Sequence, residues 1–509
     1  MHTAKRKENK MKNYQADAVI VGAGPSGMSA ALELGAAGCH VIILEKEGKA
    51  GGLREGGIGP FGVESFVQQS SCVNLTKEDA FNYFMDFTHW KTDARLVSEY
   101  INLSADTIEW LNDMGVKFTG VSAYYVGGKP TQHNIDMSGP KITQVMYEKS
   151  KEYPGLDFKF NTAGKHLLKE NGSVVGIEAE TSKGEPFRVY AKAVIVCSGG
   201  FAGDPEMVSR VGYTKNKDLF YTFEMPDLTG DGIKMIWEAG GAKAPMMMDT
   251  YIGLPHGYGG PMGTAPALAG LRQYSNLMVN RKGQRFMRED LMKNPSFAGN
   301  AVHRQKDGCA IMILDGGLYE RYQKQEAAEA KHRPAAPPLK PGEKPQPFER
   351  FHGTMEEIMK EAIASGNRDF YIADSIEELA QQADLPVDEL KKTLEEYNGL
   401  CRNKEDSIFH KDPRYLQPIT GPRYYAARFC CDTYGGLGGV KINSRTQVLN
   451  ENEDPIPGLY AAGNDANTIY GDSYPFYLCG NTSGFAFNSG RMAGRNAAKD
   501  IRSGEKNRA

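Results

Sequence analysis

Apolar and polar positions fall into clear blocks between residues 17 and 45. The apolar run Ala18 to Val21 leads into GAGPSG at Gly22 to Gly27, then the helix-forming stretch MSAALELGAAG, and the run VIIL ends at Glu45. Two short apolar runs around a helical stretch predict a β-α-β unit whose strands are buried on both faces. Further along, Ser104 followed by ADTIEWLNDMGVKF predicts a capped helix that stops at Gly115. FKFNTAGKHLLKENGSVVGIEAE predicts strands joined by a hairpin at Asn171-Gly172, and AKAVIVCSGGF a buried strand ending in a glycine turn.

The pattern changes from about residue 246 to 425, where the alternation of strand and helix stops. A Met run (Met246 to Met248), a Tyr- and Gly-rich stretch and six prolines between Pro334 and Pro347 follow, the last predicting a surface loop. SIEELAQQA and PVDELKKTLEEYN then predict two helices, the second with Pro386 in its first turn. Beyond about residue 430 short apolar runs and glycines return. The expected fold is α/β, with a Rossmann-like dinucleotide-binding domain in two parts, 16–245 and 426–509. An α+β capping domain at 246–425 interrupts it, and a frayed tail at 1–15 precedes it.

A chain of 509 residues is longer than one core supports, which agrees with two domains. Glycine is in excess, 58 of 509 residues, without the period of a collagen. Lys plus Arg number 60 and Asp plus Glu 63, so no basic footprint for nucleic acid exists. The mean hydropathy is -0.48, and no run of about 18 apolar residues suggests a membrane span. The cysteines at 39, 72, 197, 309, 401, 430, 431 and 479 form no CxxC pair and no zinc or haem spacing, so no metal site is expected. MHTAKRKENKMKNYQ lacks the apolar core of a secretory signal, which predicts a cytoplasmic protein.

The glycine turn carries the first chemistry. GAGPSG follows a strand, opens a helix and precedes an acid, Glu45, by 23 residues counted from Gly22, which is the dinucleotide fingerprint in its required context. Gly22 permits the tight turn, Gly24 lets the backbone approach a pyrophosphate, and Gly27 lets helix and strand pack closely. Ala23, Pro25 and Ser26 complete the cradle at the positive end of the helix, and Glu45, with Lys46 beside it, faces the adenosine ribose. Such a fingerprint accepts NAD, NADP or FAD and does not choose among them.

Other stretches do choose. KAGGLREGGIG with Gly51, Gly52, Gly56 and Gly57, VIVCSGGF, LTGDGIKM with Asp231, and PIPGLYAAGN stand in this order along the chain, with LMVNRKGQRF at 277 to 286 between them. Together they resemble the fumarate reductase and succinate dehydrogenase flavoprotein family over about residues 16 to 498, including its FAD-dependent ene-reductase branch. The resemblance implies an FAD domain and a mobile cap with substrate held between them against the flavin. Gly51, Gly52, Gly56, Gly57 and Ile58 would then lie along the flavin. Ala163, Ser198 and Gly199 resemble adenosine-side contacts, and Asn481 and Thr482 resemble the stretch facing the pyrimidine end of the ring. Asn464 stands where the family commonly has a ribityl-contacting Glu. GGLREGG holds no His for covalent attachment, so non-covalent FAD is expected.

The family's fumarate-gripping residues are largely replaced. His256 keeps the spacing of the cap His, 24 residues before Asn280, but the Thr-Glu positions fall on Leu268-Ala269, a second His on Asp432, the C-terminal Arg near Tyr477 and the proton-donor Arg on Lys293. An Asp in that pocket repels a carboxylate, so a C4 dicarboxylate does not suit it. What remains is aromatic and apolar: Tyr251, Tyr258, Tyr274, Tyr434, Tyr470, Tyr474 and Tyr477, with the Met run. SYP in YGDSYP resembles the TYP of bacterial ketosteroid dehydrogenases, whose Tyr polarises a substrate ketone. That resemblance makes Tyr474 the first candidate for a carbonyl-polarising or proton-relaying group, with Tyr470, Lys293 and His256 behind it.

The expected function is an FAD-dependent oxidoreductase reducing the C=C bond of a bulky enone, steroid-like ketone or aryl enoate. Hydride would come from the flavin and a proton from a Tyr or Lys. No second strand-glycine-helix unit offers a nicotinamide site, so electrons are expected from a separate flavoprotein, a soluble carrier or free reduced flavin. Two alternatives remain open at this stage: a ketosteroid-type dehydrogenase running in reverse, and an electron-transferring subunit without its own substrate.

Overall fold

The computed structural model describes residues 11–51, 59–123, 127–136, 138–212, 225–257, 268, 270–330 and 354–506. Its larger sheet has eight strands. The parallel part runs Pro455–Ala461, Pro186–Val196, β1 (Lys12–Val21), β2 (Val41–Leu44) and Leu156–Lys159. Alternate residues of β1 and β2 serve two cores. Ala18, Ile20, Val41 and Ile43 pack with helix α1 (Pro25–Ala36) and the C-terminal helix Asn481–Lys506, while Val19, Val21, Ile42 and Leu44 join Phe84, Tyr100 and Ile233 on the other face. This is the doubly buried, Rossmann-like α/β sheet that the continuous apolar runs predict.

β1 begins earlier than the apolar run suggests. Lys12 to Gln15 pair with Phe187 to Tyr190 and Tyr14 sets its ring edge-on against Phe187 at 5.3 Å, so the expected tail is already sheet from residue 12. Residues 1–10 lie outside the described chain. The hairpin turns at Asn171 and Gly172, both at positive φ (50° and 82°), as Asn-Gly demands. Ser104 does not cap a helix. The helix runs Ala94–Asp113 with Asp93 as its cap, and buried Ser104 spends its hydroxyl on the Ile101 carbonyl and the Val63 N–H.

A second, six-stranded sheet is organised by the strand Tyr424–Val440. Its first half pairs with Cys309–Asp315 and Phe370–Ala373, and its second half with Lys243–Gly253. Residues 246 and 425 therefore both lie within paired strands. The helices Ile376–Gln382 and Val387–Asn403 form as predicted, Ser375 capping the first and Pro386 standing immediately before the second. Beneath them lies a buried charge cluster. Arg285 bonds Glu289 and Asp406, each at 2.8 Å, and the Lys411 ammonium reaches Glu289 at 3.1 Å, Tyr397 at 2.9 Å and the Ser275 carbonyl at 2.6 Å.

His133, on the strand Gln132–Ile135, is a buried neutral imidazole beneath the loop at Gly59 to Gly62. Its Nε2 lies 2.5 Å from Ser65 Oγ, and burial pushes its pKa down to about 4, against weaker upward pulls from the Thr131 and Pro60 carbonyls. The unfolded chain takes up this proton below its ordinary value and the folded chain does not. Stability should thus fall by up to about 3 kcal/mol as pH drops from about 6.5 to about 4. Chemical denaturation at pH 7 and pH 4.5 checks this, and His133→Gln should lose that part of the pH dependence.

Candidate active site

The turn between β1 and α1 is closed on two sides and open on one. A Cβ at Gly22 (φ +96°) would lie 2.3 Å from the Cys197 carbonyl oxygen, and one at Gly27 1.9 Å from the Gly22 oxygen. At Gly24 a Cβ would meet, beyond its own chain neighbours, nothing within 4 Å among the described residues. No side chain caps α1, whose first turn holds Pro25, buried Ser26 and Gly27. A bare helix N-terminus facing a gap at the middle glycine is what a diphosphate requires.

The neighbouring elements complete that cradle. Glu45 is buried at the end of β2, where one carboxylate oxygen accepts from the Ala23 N–H at 2.7 Å and the other from the Glu47 N–H at 2.8 Å. The Thr162 N–H bonds the Glu45 carbonyl and so draws Ala163 alongside, and the Gly51 N–H bonds the Ala23 carbonyl at 3.0 Å. Lys46 donates to the Asp227 carbonyl and stands 3.8 Å from Asp231, itself bonded by Thr229. Gly52, Gly56, Gly57 and Ile58 lie outside the described residues. The uncapped start of α1, open at Gly24 and flanked by Glu45, fits the adenosine diphosphate of a dinucleotide.

Asp465 was not signalled by any motif. It is fully buried, and its carboxylate collects the Ser198 N–H, the Ser198 hydroxyl at 3.0 Å and the Gly200 N–H at 2.9 Å. Burial raises its pKa while these donors pull it down. Ser198 also accepts from the Gly232 N–H at 3.1 Å, so its polar atoms, together with Gly199 (φ +100°), build the turn. Asn464, next to Asp465, packs on Gly200 and accepts from Asn467 at 3.1 Å, while a Cβ at Gly463 would come within 2.6 Å of Ser26 Oγ. This segment therefore crosses the start of α1, beside the diphosphate cradle.

The C-terminal helix brings the tyrosines to the same place. At its N-terminus Asn481 accepts from the Tyr100 hydroxyl at 2.9 Å and donates to the Leu478 carbonyl at 2.5 Å. The Thr482 N–H and hydroxyl both reach the Tyr474 oxygen at 2.9 Å. From there rings run without interruption: Tyr470 to Tyr474 at 4.9 Å, Tyr474 to Phe476 at 5.0 Å, Phe476 to Tyr434 at 5.7 Å, and Tyr434 stacked on Tyr251 at 4.2 Å. Burial raises the Tyr474 pKa, with nearby Asp249 adding to the rise and the Thr482 bonds opposing it. Tyr474 therefore holds its proton at neutral pH, and the bonds that would stabilise its phenolate are already in place. Asp249, on Lys243–Gly253, is the second residue that no motif signalled.

The other sequence candidates have contacts of their own. The Lys293 ammonium sits 3.5 Å from the centroid of the Tyr415 ring. His256, at φ +55°, stands 3.9 Å from Asp369, which Arg428 holds at 2.9 Å. Tyr274 stacks on Tyr322 in the core around the second sheet, Tyr477 meets Tyr83 at 6.3 Å, and Leu268 is core. Tyr258 and Ala269 lie outside the described residues. Asp432 is buried beside Tyr251 and accepts from the Cys430 thiol at 2.8 Å.

A family model described as FAD binding domain matches residues 17–483, which bears out FAD as the cofactor. The chain is 29% identical to the vinyl phenol reductase of Lactiplantibacillus plantarum over 96% of its own length and 97% of that protein's. Against the fumarate reductase (cytochrome) of Shewanella frigidimarina it is 27% identical, over 95% of this chain and 77% of that one. The fold is similar to that of a 3-ketosteroid Δ4-(5α)-dehydrogenase from Rhodococcus jostii, with a TM-score of 0.72, 22% identity and coverage of 97% and 98%. No helix among the described residues is long and apolar enough to cross a membrane.

Proposed function

The chain belongs to the FAD binding domain family and is an FAD-dependent oxidoreductase, and we propose that it reduces the C=C bond of an apolar, ring-bearing alkene conjugated to an oxygen function. Bulky enones, steroid-like ketones and aryl enoates fit this description and fumarate does not. The observation that carries the reading is the Tyr474 hydroxyl, buried in an aromatic cluster and bonded twice by Thr482 at the start of the C-terminal helix.

Once bound and reduced by the external donor, FAD would supply the hydride for the β-carbon. The chain's part is to bind, orient and protonate. Tyr251, Tyr434 and Phe476 offer flat apolar faces to a ring, and buried Asp432 disfavours a second carboxylate nearby. The Tyr474 O–H gives its proton to the α-carbon, and the resulting phenolate keeps the Thr482 N–H and hydroxyl as donors beside the positive end of a 26-residue helix. The named substrate of the Lactiplantibacillus plantarum relative, a phenol bearing a vinyl group, is of the same flat, apolar kind. Electrons enter from an external flavoprotein, a soluble carrier or free reduced flavin.

Anaerobic assays with reduced viologen test the reading. Enones, aryl enoates and vinyl phenols should oxidise the viologen, and fumarate should not. Turnover only with an oxidising dye and a saturated ketosteroid would replace the reductase by a dehydrogenase. If no alkene reoxidises the reduced protein in stopped flow, the chain transfers electrons without a substrate of its own.

A further inference from the structure

Asn467 pairs with Gly438 in the ladder that joins Ala466–Asn467 to the strand Tyr424–Val440, and it is 3% exposed. Its amide nitrogen donates to the Gly436 carbonyl at 2.9 Å and to Asn464 Oδ1 at 3.1 Å. The Gly436 carbonyl fixes the orientation of the amide, because a flip would set two carbonyl oxygens against each other. The amide oxygen is left over, and it has no hydrogen-bond partner among the described residues. Asn467 stands immediately before the short turn Thr468–Tyr470, where an Asn oxygen commonly caps the first N–H groups, yet it caps none there. The Tyr470 hydroxyl is not its donor either, since that buried group also lacks a partner. A buried acceptor that neither its own turn nor its neighbours satisfy calls for a donor from outside the chain.

The segment that carries this oxygen is clamped beside the diphosphate cradle. The Gly463 N–H bonds Ser489 Oγ at 2.9 Å, and the Asp465 carboxylate takes the Ser198 hydroxyl at 3.0 Å and the Gly200 N–H at 2.9 Å. A Cβ at Gly463 would meet Ser26 in the first turn of α1, and half-buried Asn464 follows at once. Strand order decides which half of a dinucleotide passes here. Glu45 ends β2 on one side of β1, whereas Asn464 to Asn467 follow Pro455–Ala461 on the other side, beyond Pro186–Val196. With the adenosine ribose at Glu45, the flavin half of the cofactor lies toward Asn467.

We propose that Asn467 Oδ1 accepts a hydrogen bond from a ribityl hydroxyl of FAD, with Asp465 as the positioning residue that holds Asn464 and Asn467 in place. The chemistry of the orphaned atom selects this partner. Diphosphate oxygens only accept and cannot satisfy an amide oxygen, whereas a sugar-type hydroxyl donates. The adenosine ribose carries hydroxyls of the same kind, but Glu45 stands at its side of the cradle. The assignment concerns the cofactor alone and does not depend on which alkene the protein reduces.

Titration of the full-length apoprotein with FAD, and with FAD analogues that each lack one ribityl hydroxyl, tests the assignment through flavin fluorescence. In the parent, one such analogue should bind about tenfold more weakly than FAD, because the Asn467 oxygen is again left without a donor. Asn467→Ala should bind FAD about tenfold more weakly than the parent does, and should no longer distinguish FAD from that analogue. An analogue lacking an adenosine hydroxyl should weaken parent and variant by the same factor. Asp465→Asn, which loosens the clamp, should shrink the discrimination between FAD and the ribityl analogue, and undiminished discrimination overturns its positioning role. Two losses that multiply instead of merging, or a coupling of Asn467 to the adenosine hydroxyl, overturn the contact. A parent that binds every ribityl analogue as tightly as FAD overturns it too, and that result needs no variant to fold.

Discussion

Tyr474→Phe should lower turnover of a conjugated alkene by about 10²-fold or more, the usual size of a lost acid or oxyanion-stabilising group. FAD should remain bound. The phenol is buried and, among the described residues, its oxygen is bonded by Thr482, so the ring keeps its place against Tyr470 and Phe476 when the oxygen is removed. The local cost is a Thr482 N–H without its acceptor, about 1–3 kcal/mol, which a chain of this size tolerates. Because the hydroxyl acts on the proton in flight and not on the resting substrate, kcat and kcat/KM should fall together with KM nearly unchanged. Steady-state rates with reduced viologen and flavin content by absorbance check both halves. A variant that turns over at the parental rate removes Tyr474 from the mechanism, and one that loses its flavin shows that the hydroxyl serves the fold.

What could be read in the sequence is what local backbone demands dictate. The β1-α1 turn was legible because Gly22 and Gly27 leave no room for a side chain, and the Asn171-Gly172 hairpin because its two central residues need positive φ. Ser104 misled for the same local reason, since serine before a periodic stretch looks like a cap, whereas Asp93 starts that helix eleven positions earlier by the numbering. Asp249 and Asp465 could not be found this way. Each is a single acid in a short stretch of Met, Thr, Gly and Asn, and only folding buries it, Asp249 on a strand of the second sheet and Asp465 against the distant Ser198 and Gly200. The tyrosines were nameable but not sortable. Tyr251 and Tyr434 meet because two strands pair across residues 243–253 and 424–440, while Tyr274 finds Tyr322 in another core.

Gly27→Ala should prevent the N-terminal sheet from assembling and leave little folded, FAD-loaded protein. The added methyl would sit 1.9 Å from the Gly22 oxygen, so α1 would have to move away from β1. It has nowhere to go. On its other side the C-terminal helix approaches so closely that a Cβ at Gly490 would lie 2.2 Å from the Ser26 oxygen and one at Gly494 2.7 Å from the Ala30 oxygen. A helix wedged on both faces cannot absorb a methyl by a small shift, and the cost exceeds the ~1–3 kcal/mol of ordinary overpacking. Gly24→Ala, three residues away, should behave differently. Beyond its chain neighbours its Cβ meets no atom of the described residues within 4 Å, so the apoprotein should melt at the parental temperature, yet the methyl fills space that a diphosphate needs. FAD affinity should drop about tenfold or more, equivalent to about 1.4 kcal/mol. Thermal melts with and without added FAD separate the two positions. Equal damage from both substitutions, or none from either, would falsify the assignment of Gly27 to packing and Gly24 to the cofactor.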